Sequence, residues 1–418
     1  MTDTSVLATR SETARYLHRA AGRLAGKPFP ARLRAWDGSE AGEGGPLITL
    51  HNPHALRRML WRPDDLGVAR AYIDGDLGIE GAADDFMVAV IEAGDAALWD
   101  LLTGRVVPTL TRGIAALRLL GWAARRRALG TPPPRPESEA PWRGGADHYE
   151  MSNEFYRLVI GESMVYSTAL WPDPEQPGDL DAAQRDKLEL ICRELRLRPG
   201  SRLLDIGSGW GALAVHAAQH HGARVLGVTL AAEQVSYATE LAERAGVADR
   251  VEFRQCDFRD VRDGPFDAIS SIEVSLHLNA RALRGFSRRL HDLLAPGGRV
   301  FSQDVTTTRR GKLLENISGF LTAYVFPEVH IPTVPALRRS LTRAGLRIES
   351  YRDLTEHFIA TDRTWLHNIE THWDAIVAEI GLPRARAERL FAATSVASMR
   401  TGLNQASYTI ARRPGGGA

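Results

Sequence analysis

Only two of the 418 residues are cysteines, Cys192 and Cys256, and neither has the spacing of a metal-ligand pair. They fall in a predicted helix and a predicted strand and read as buried thiols. Charge of one sign is also lacking. Fifty-two basic residues against 51 acidic ones leave a net +1, so no global field points to nucleic acid. Long apolar runs are missing too: the most apolar region, Ile114 to Ala124, is interrupted by Arg118 and is far short of a membrane span. The stretch Met1 to Arg15 is polar and lacks the apolar core of a signal peptide, which gives a cytoplasmic expectation. What remains is a chain with room for two domains and a large core.

The most informative stretch is Arg202-Leu-Leu-Asp205-Ile-Gly207-Ser208-Gly209-Trp210-Gly211. Its apolar run, preceded by Pro199-Gly200, predicts a buried strand. The run breaks into a turn with glycine at every second position, and a helical pattern follows from Ala212 to His221. Glycines here permit positive φ and let backbone N–H groups approach a ligand without a Cβ in the way. The helix N-terminus beyond them favours negative charge. Strand, glycine turn and helix is how doubly wound α/β folds hold nucleotide-like cofactors. The spacing Asp205-x-Gly207-x-Gly209-x-Gly211 differs from the dinucleotide fingerprint and resembles the first motif of class I S-adenosylmethionine methyltransferases.

Around this stretch the chain divides into a small α+β N-terminal domain (1–125), a Pro/Arg-rich linker (126–146), a catalytic domain (147–413) and a disordered tail (414–418). In the first, Ser11–Leu24 predicts a helix and Ala31–Trp36 a strand. Asp37-Gly38 predicts a turn, and Leu47–Leu50 a possible strand partner. Helices are expected at Pro53–Leu60, Asp64–Ile73 and Ala82–Ala93. Asp37, Asp74 and Asp76 lie beside glycines and read as turn formers rather than catalysts. Seven arginines fall between Arg105 and Arg135, while no Asp or Glu occurs between Asp100 and Glu137. This is either a surface helix running into the extended Thr131–Pro136 linker or a basic amphipathic segment for an anionic membrane surface. From Gln184 onward α/β alternation is clear. Helices are expected at 184–195, 210–221, 231–245, 280–294, 336–344, 364–380 and 384–399. Strands are expected at 201–206, 223–229, 250–255, 266–272, 298–304, 346–351 and 405–411, with Gly297-Gly298 as the turn before the fifth.

Several segments in order carry a resemblance to the cyclopropane-fatty-acyl-phospholipid synthase family. They are Asp147–Trp171, Leu204–Gly211, Val225–Gln234, Asp257–Asp260 and Tyr324–Pro327 with Ile331-Pro332, joined by Trp36-Asp-Gly-Ser, Leu56–Leu60 and Ala71–Asp76 in the N-terminal domain. The resemblance implies a class I S-adenosylmethionine methyltransferase fold, Rossmann-like, with a seven-stranded mostly parallel sheet. It puts Tyr166 and Ser167 at the methionine end of the cofactor. It also gives Asp205, Gly207, Ser208, Gly209 and Gly211 to the cofactor turn. Thr229 and Gln234 would sit by the ribose, and Asp257 and Phe258 by the adenine. For Asp257 the plain alternative is a loop cap.

In typical members, the resemblance implies, a bound bicarbonate held by a cysteine, a glutamate, a histidine and a tyrosine accepts the proton released after methyl transfer to an alkene. Here those positions read Thr168, Leu276, Gln303 and, in a looser alignment, Leu366. The bicarbonate pocket is therefore expected to be lost and the proton to go to a side chain. The family's His-Tyr-Asp reads His148-Tyr149-Glu150, which makes Glu150 the preferred base, with Glu273, His277 and Asp304 as rivals and Tyr149 beside the cation. If a hydride shifts along the chain before deprotonation, the product is a methylene branch rather than a ring. The chain looks most like the actinobacterial branch that makes 10-methylene and then 10-methyl stearoyl lipids, the tuberculostearic acid pathway. That implies an oleoyl phospholipid substrate at the inner membrane surface, peripheral attachment, and a homo- or hetero-oligomer. It also implies a partner flavin-dependent NADPH reductase, since no nicotinamide or flavin fingerprint is present here. The alternatives are a cyclopropane synthase with another base, and a non-catalytic scaffold that binds S-adenosylmethionine or lipid.

Overall fold

The computed structural model describes residues 12–62, 65–92, 151–314, 319–327 and 329–415. His148, Tyr149, Glu150, the Arg105–Arg135 stretch and the Thr131–Pro136 linker lie outside the described residues. The chain forms two compact units. One comprises Met1–Ala140, Ile317–Ala323 and Arg386–Thr401; the other comprises Pro141–Asn316, Tyr324–Ala385 and Gly402–Ala418. Among the described residues no helix is long and apolar enough to cross a membrane.

The first unit holds a four-stranded sheet in the order β2-β1-β3-β4. Its strands are β1 (Arg32–Arg34), β2 (Glu40–Ala41), β3 (Leu47–Leu50) and β4 (Leu77–Glu80). Gly38, at φ 79°, turns β1 back on β2, and Asp37 accepts hydrogen bonds from the Ser39 amide and hydroxyl. Because β2 takes the hairpin position, β3 pairs with β1 in parallel. β4, with a glycine inside a four-residue run, has too weak a pattern to be read from sequence. The helices are α1 (Thr13–Ala25), α2 (His54–Trp61), α3 (Asp65–Ile73) and α4 (83–92). Asp74 and Asp76 both pair with Arg58, at 2.6 and 2.9 Å.

The second unit is built on a seven-stranded sheet in the order β10-β11-β9-β8-β5-β6-β7. Five neighbouring strands run parallel: β9 (Leu294–Thr307), β8 (Phe266–Ile272), β5 (Arg202–Ile206), β6 (Arg224–Thr229) and β7 (Val251–Gln255). β11 (Asn404–Arg412) is antiparallel to β9, and β10 (Arg347–Asp353) is antiparallel to β11. The helices that position the site are α5 (Asn153–Ile160), α6 (Leu180–Glu194), α7 (Ala212–His221), α8 (Ala232–Arg244), α9 (Ala280–Leu293), α10 (Val334–Arg343) and α11 (Thr355–Thr371). α12 (Trp373–Ile380) follows in this unit, and α13 (Leu382–Arg400), which belongs to the first unit from Arg386 onward, precedes the last strand in the chain. Strand order reverses between β5 and β8, the point where doubly wound sheets open a ligand crevice at their carboxyl ends.

Two element boundaries depart from the sequence expectation. Gly297-Gly298 does not end a turn before the fifth strand. β9 runs through it from Leu294, with a register shift between Phe266 and Ala268 on its β8 partner and Gly297 at φ 83°. The helix expected from Thr364 starts at Thr355, where Asp353 Oδ1 accepts the Thr355 amide at 2.8 Å. Buried Thr361 and Asp362 interrupt the apolar periodicity there.

One apolar core lies between the sheet and α9 with α10. It joins Leu204, Ile269 and Val300 from the strands to Leu283, Phe286, Leu290 and Leu341 from the helices. Leu290 is fully buried in it. Leu290→Ala is expected to destabilise this unit by about 3 kcal/mol, transfer and cavity terms together, read as a lowered midpoint in urea with the slope unchanged.

Candidate cofactor and catalytic site

At the carboxyl end of β5 the chain turns through Gly207, Gly209 and Gly211, all at positive φ, into α7. Gly211 sits at φ 89°, and a Cβ there would come within 2.7 Å of Phe253 and 2.8 Å of Ala238. Gly209, at φ 52°, faces open space: a Cβ there meets nothing within 4 Å. Its N–H makes no backbone hydrogen bond among the described residues. Ser208 Oγ beside it is buried and has no hydrogen-bond partner among them. The turn therefore offers unoccupied donors and room for a ligand.

The strap Val165–Trp171 belongs to no strand, and side chains from three directions hold it. From α6, Gln184 Nε2 donates to the Val165 and Ser167 carbonyls at 3.1 and 2.9 Å, and Lys187 Nζ donates to Ser167 Oγ at 2.6 Å. From the end of β8, Glu273 Oε1 accepts from the Thr168 amide (2.9 Å) and hydroxyl (2.7 Å). From α11, Thr361 Oγ1 accepts from the Ala169 amide and from Trp171 Nε1, both at 3.0 Å, and His357 Nδ1 accepts from the Trp171 amide. An aromatic group backs the strap: Tyr156 lies 4.6 Å from Trp210 and 5.6 Å from Tyr166, and Tyr166 lies 5.1 Å from Trp365. Trp210 Nε1 is fixed by Asn153 Oδ1 at 2.6 Å.

Lys187 is fully buried, and desolvation pulls its ammonium down to about 7 against the favourable charges of Glu273 and Asp205. Asp205 is equally buried. Desolvation pushes its carboxyl up to about 6, while the Ser270 hydroxyl, donating at 2.7 Å, and Lys187 oppose the shift. Asp304 is raised to about 6 by burial with Glu273 nearby, against the hydroxyls of Ser275 and Ser302. Burial lowers the His277 imidazole to about 4, which leaves it neutral near pH 7, and its ring meets Phe326 edge-on.

Glu273 is the focus of this arrangement. Its backbone is at φ 55°, a conformation that costs a non-glycine residue about 1–3 kcal/mol and that clusters at functional sites. It is over-determined here: the Glu273 amide donates to Gln303 O at 2.7 Å, and Gln303 Nε2 donates to Glu273 Oε1 at 3.2 Å. Thr168 and Gln303, two of the four positions read as lost bicarbonate ligands, thus meet on one protein carboxylate. Leu276 lies in the one-turn helix Ser275–His277 and Leu366 is buried on α11.

The remaining expected cofactor residues line the rim. Thr229 Oγ1 donates to Gln234 Oε1 at 2.6 Å, so this pair engages itself. Asp257 caps the short helix Phe258–Asp260, and its hydrogen bonds with Arg259 hold its carboxyl below the usual range. Phe258 packs edge-on against Phe286 at 5.1 Å. Sequence reasoning missed Gln184, Lys187, His357 and Thr361. A signal existed for the first two, since both fall on the apolar stripe of α6 with Ala183, Leu188 and Ile191.

The strand order, the glycine turn at the switch point and the rim define a class I S-adenosylmethionine methyltransferase, and the cofactor it takes is S-adenosyl-L-methionine. The chain belongs to the mycolic acid cyclopropane synthetase family, whose model matches residues 137–408. It is 32% identical over 387 residues to a probable fatty acid methyltransferase of Mycobacterium tuberculosis, covering 88% of this chain and 87% of that one. It is 30% identical over 402 residues to the tuberculostearic acid methyltransferase UfaA1 of the same organism (92% and 88% covered). Against the cyclopropane-fatty-acyl-phospholipid synthase of Escherichia coli it is 29% identical over 329 residues (79% and 78%). Among solved structures, the cyclopropane synthase MmaA2 of M. tuberculosis superposes with a TM-score of 0.60 at 22% identity, covering 66% of this chain and 98% of that one.

Two predictions test the electrostatics. If Lys187 acts through Ser167, Lys187→Met and Ser167→Ala are each expected to weaken S-adenosylhomocysteine binding about tenfold by calorimetry, and the double variant no further. The second concerns Asp304, whose folded carboxyl lies above its unfolded value of about 3.9. Its contribution to stability is full below that value and is lost as pH rises through about 6. Asp304→Asn should therefore match the wild type near pH 4 and exceed it by about 3 kcal/mol near pH 8, measured by urea unfolding.

Proposed function

We propose that the protein methylates the double bond of an oleoyl chain on a membrane phospholipid and releases a 10-methylene stearoyl product. A separate flavin-dependent, NADPH-using reductase would then saturate that product to the 10-methyl chain. The relatives, fatty acid and tuberculostearic acid methyltransferases and a cyclopropane-fatty-acyl-phospholipid synthase, support methyl transfer to fatty acyl lipids. Bound S-adenosylmethionine supplies an electrophilic methyl group. The work of the chain is to align the alkene with that methyl, exclude water, and dispose of one proton. The buried aromatic group of Tyr156, Tyr166, Trp210 and Trp365 offers π faces to positive charge beside the strap.

The observation that carries the methylene reading is the Glu273 carboxylate hydrogen-bonded to Thr168 and Gln303, where the family resemblance expects ligands of an inorganic anion. With those donors already taken by a side chain, the proton goes to a protein carboxylate. Glu150, one methylene longer than the aspartate of the family motif, is the proposed acceptor. Glu273 is its rival, because its Oε2 receives no hydrogen bond among the described residues. Neutral His277 is a weak base, and Asp304 is enclosed. If deprotonation waits for a hydride shift from the methylated carbon, the cation becomes tertiary. Loss of a proton from the new methyl then gives an exocyclic alkene. With its substrate in a bilayer, the protein works as a peripheral, oligomeric enzyme at the inner membrane surface, where the arginines of 105–127 would meet anionic lipid.

Purified protein, S-adenosylmethionine and dioleoyl phospholipid vesicles should give exomethylene proton signals by NMR, with a rate indifferent to added bicarbonate. Upfield cyclopropane signals, or activation by bicarbonate, would reject the reading in favour of ring formation. Glu150→Gln is expected to lower kcat by about 10²–10⁴ while leaving cofactor affinity intact. The same loss in Glu273→Gln with Glu150→Gln active would move the role to Glu273.

A further inference from the structure

On the far side of α6 from Lys187, a second group of polar side chains plays no part in the chemistry above. Glu189 and Cys192 stand three residues apart on α6, and His216 and His221 come from α7, the helix that follows the glycine turn. The sequence reading found no metal spacing at Cys192, because the two histidines of this group are 24 and 29 residues away in the chain. The fold closes that gap. The ligating atoms of Cys192, His216 and His221 all lie within 4.8 Å of one another. Glu189 Oε2 lies 3.3 Å from His216 Nε2 and 2.9 Å from His221 Nε2.

We propose that Cys192, His216, His221 and Glu189 form a binding site for a zinc-class divalent cation that fastens α6 to α7. A thiolate and two imidazoles that already converge are a donor set for a borderline-soft ion, and the Glu189 carboxylate, hydrogen-bonded to both imidazoles but outside that trio, would move in as the fourth donor of a closed tetrahedral site. Arms of about 2.0–2.1 Å to nitrogen and oxygen set a ligand-to-ligand edge of about 3.3 Å. The two carboxylate–imidazole distances already match that edge within a few tenths of an ångström. The other carboxylate oxygen faces Arg193 at 4.0 Å, which leaves Oε2 to the ion. Access is one-sided. Cys192 is fully buried at the base, while the side chains of His216, His221 and Glu189 are 14%, 18% and 40% exposed at the mouth. An ion entering from solvent would displace the carboxylate–imidazole hydrogen bonds and take the thiol as thiolate, releasing one proton from sulfur.

The site would tie together the helix that holds the strap through Gln184 and Lys187 and the helix that begins at the cofactor turn. It is separate from the reacting atoms, so it can be tested without turnover. Metal-free full-length protein titrated with cobalt(II) should bind one equivalent and show a thiolate-to-cobalt charge-transfer band with the intense visible bands of a tetrahedral ion. One equivalent of zinc should displace the cobalt and raise the melting midpoint. Cys192→Ser is expected to abolish the charge-transfer band. His221→Gln should weaken zinc binding by more than the ~10–100-fold that loss of an outer-shell partner costs. His54→Gln, in the other unit, should change neither. An octahedral cobalt spectrum without the sulfur band, or zinc affinity unchanged in His221→Gln, would overturn the proposal. His221→Gln leaves the buried thiol in place, so it decides the matter even if Cys192→Ser folds poorly.

Discussion

A buried segment that joins no sheet must have its backbone polar groups satisfied by something else, and in this protein side chains do it. The strap Val165–Trp171 accepts hydrogen bonds from Gln184 and donates to Glu273, Thr361 and His357, and its one hydroxyl contact to a cation comes from Lys187. Those partners are anchored at three places in the sheet-and-helix frame, α6, the end of β8 and α11. The strap's position, and with it that of Tyr166 and Ser167, is set by the packing of α6, β8 and α11 rather than by any local turn. The burial of Lys187 belongs to the same constraint. An ammonium with no solvent is tolerable because Asp205 and Glu273 lie around it, and those carboxylates are in turn held by Ser270, Thr168 and Gln303.

The electrostatics of the site are those of a dry enclosure. Asp205 and Asp304 are both pushed toward their protonated forms, His277 toward its neutral one, and Lys187 partway to neutrality. Burial is the first cause in all four. A crevice that disfavours charge throughout is suited to an apolar acyl chain.

Much of the frame was legible in the sequence because its signals are local. Pro199-Gly200 before an apolar run, glycine at every second position, and a helical pattern after it identified β5, the turn and α7. The α/β alternation fixed the parallel sheet. What was not legible is what links distant segments. Thr168 meets Glu273 across 105 residues, and Ala169 meets Thr361 across 192. No window carries such pairs. Polar residues that face inward were missed for a related reason: Thr361 and Asp362 broke the apolar rhythm of α11 and hid its first nine residues, and Lys187 was not singled out although it falls on the buried stripe of α6. Asp257 sits where ligands reach the rim, yet its carboxylate is taken up by Arg259, a neighbour two residues on whose geometry only coordinates reveal.

The left-handed backbone at Glu273 has an evolutionary corollary. A glycine there would relax the main chain, but it would also delete the carboxylate on which Thr168 and Gln303 converge and which faces buried Lys187. Screens that select for heat resistance alone should therefore find no easy gain at this position, because the relief of strain comes with loss of the strap's anchor.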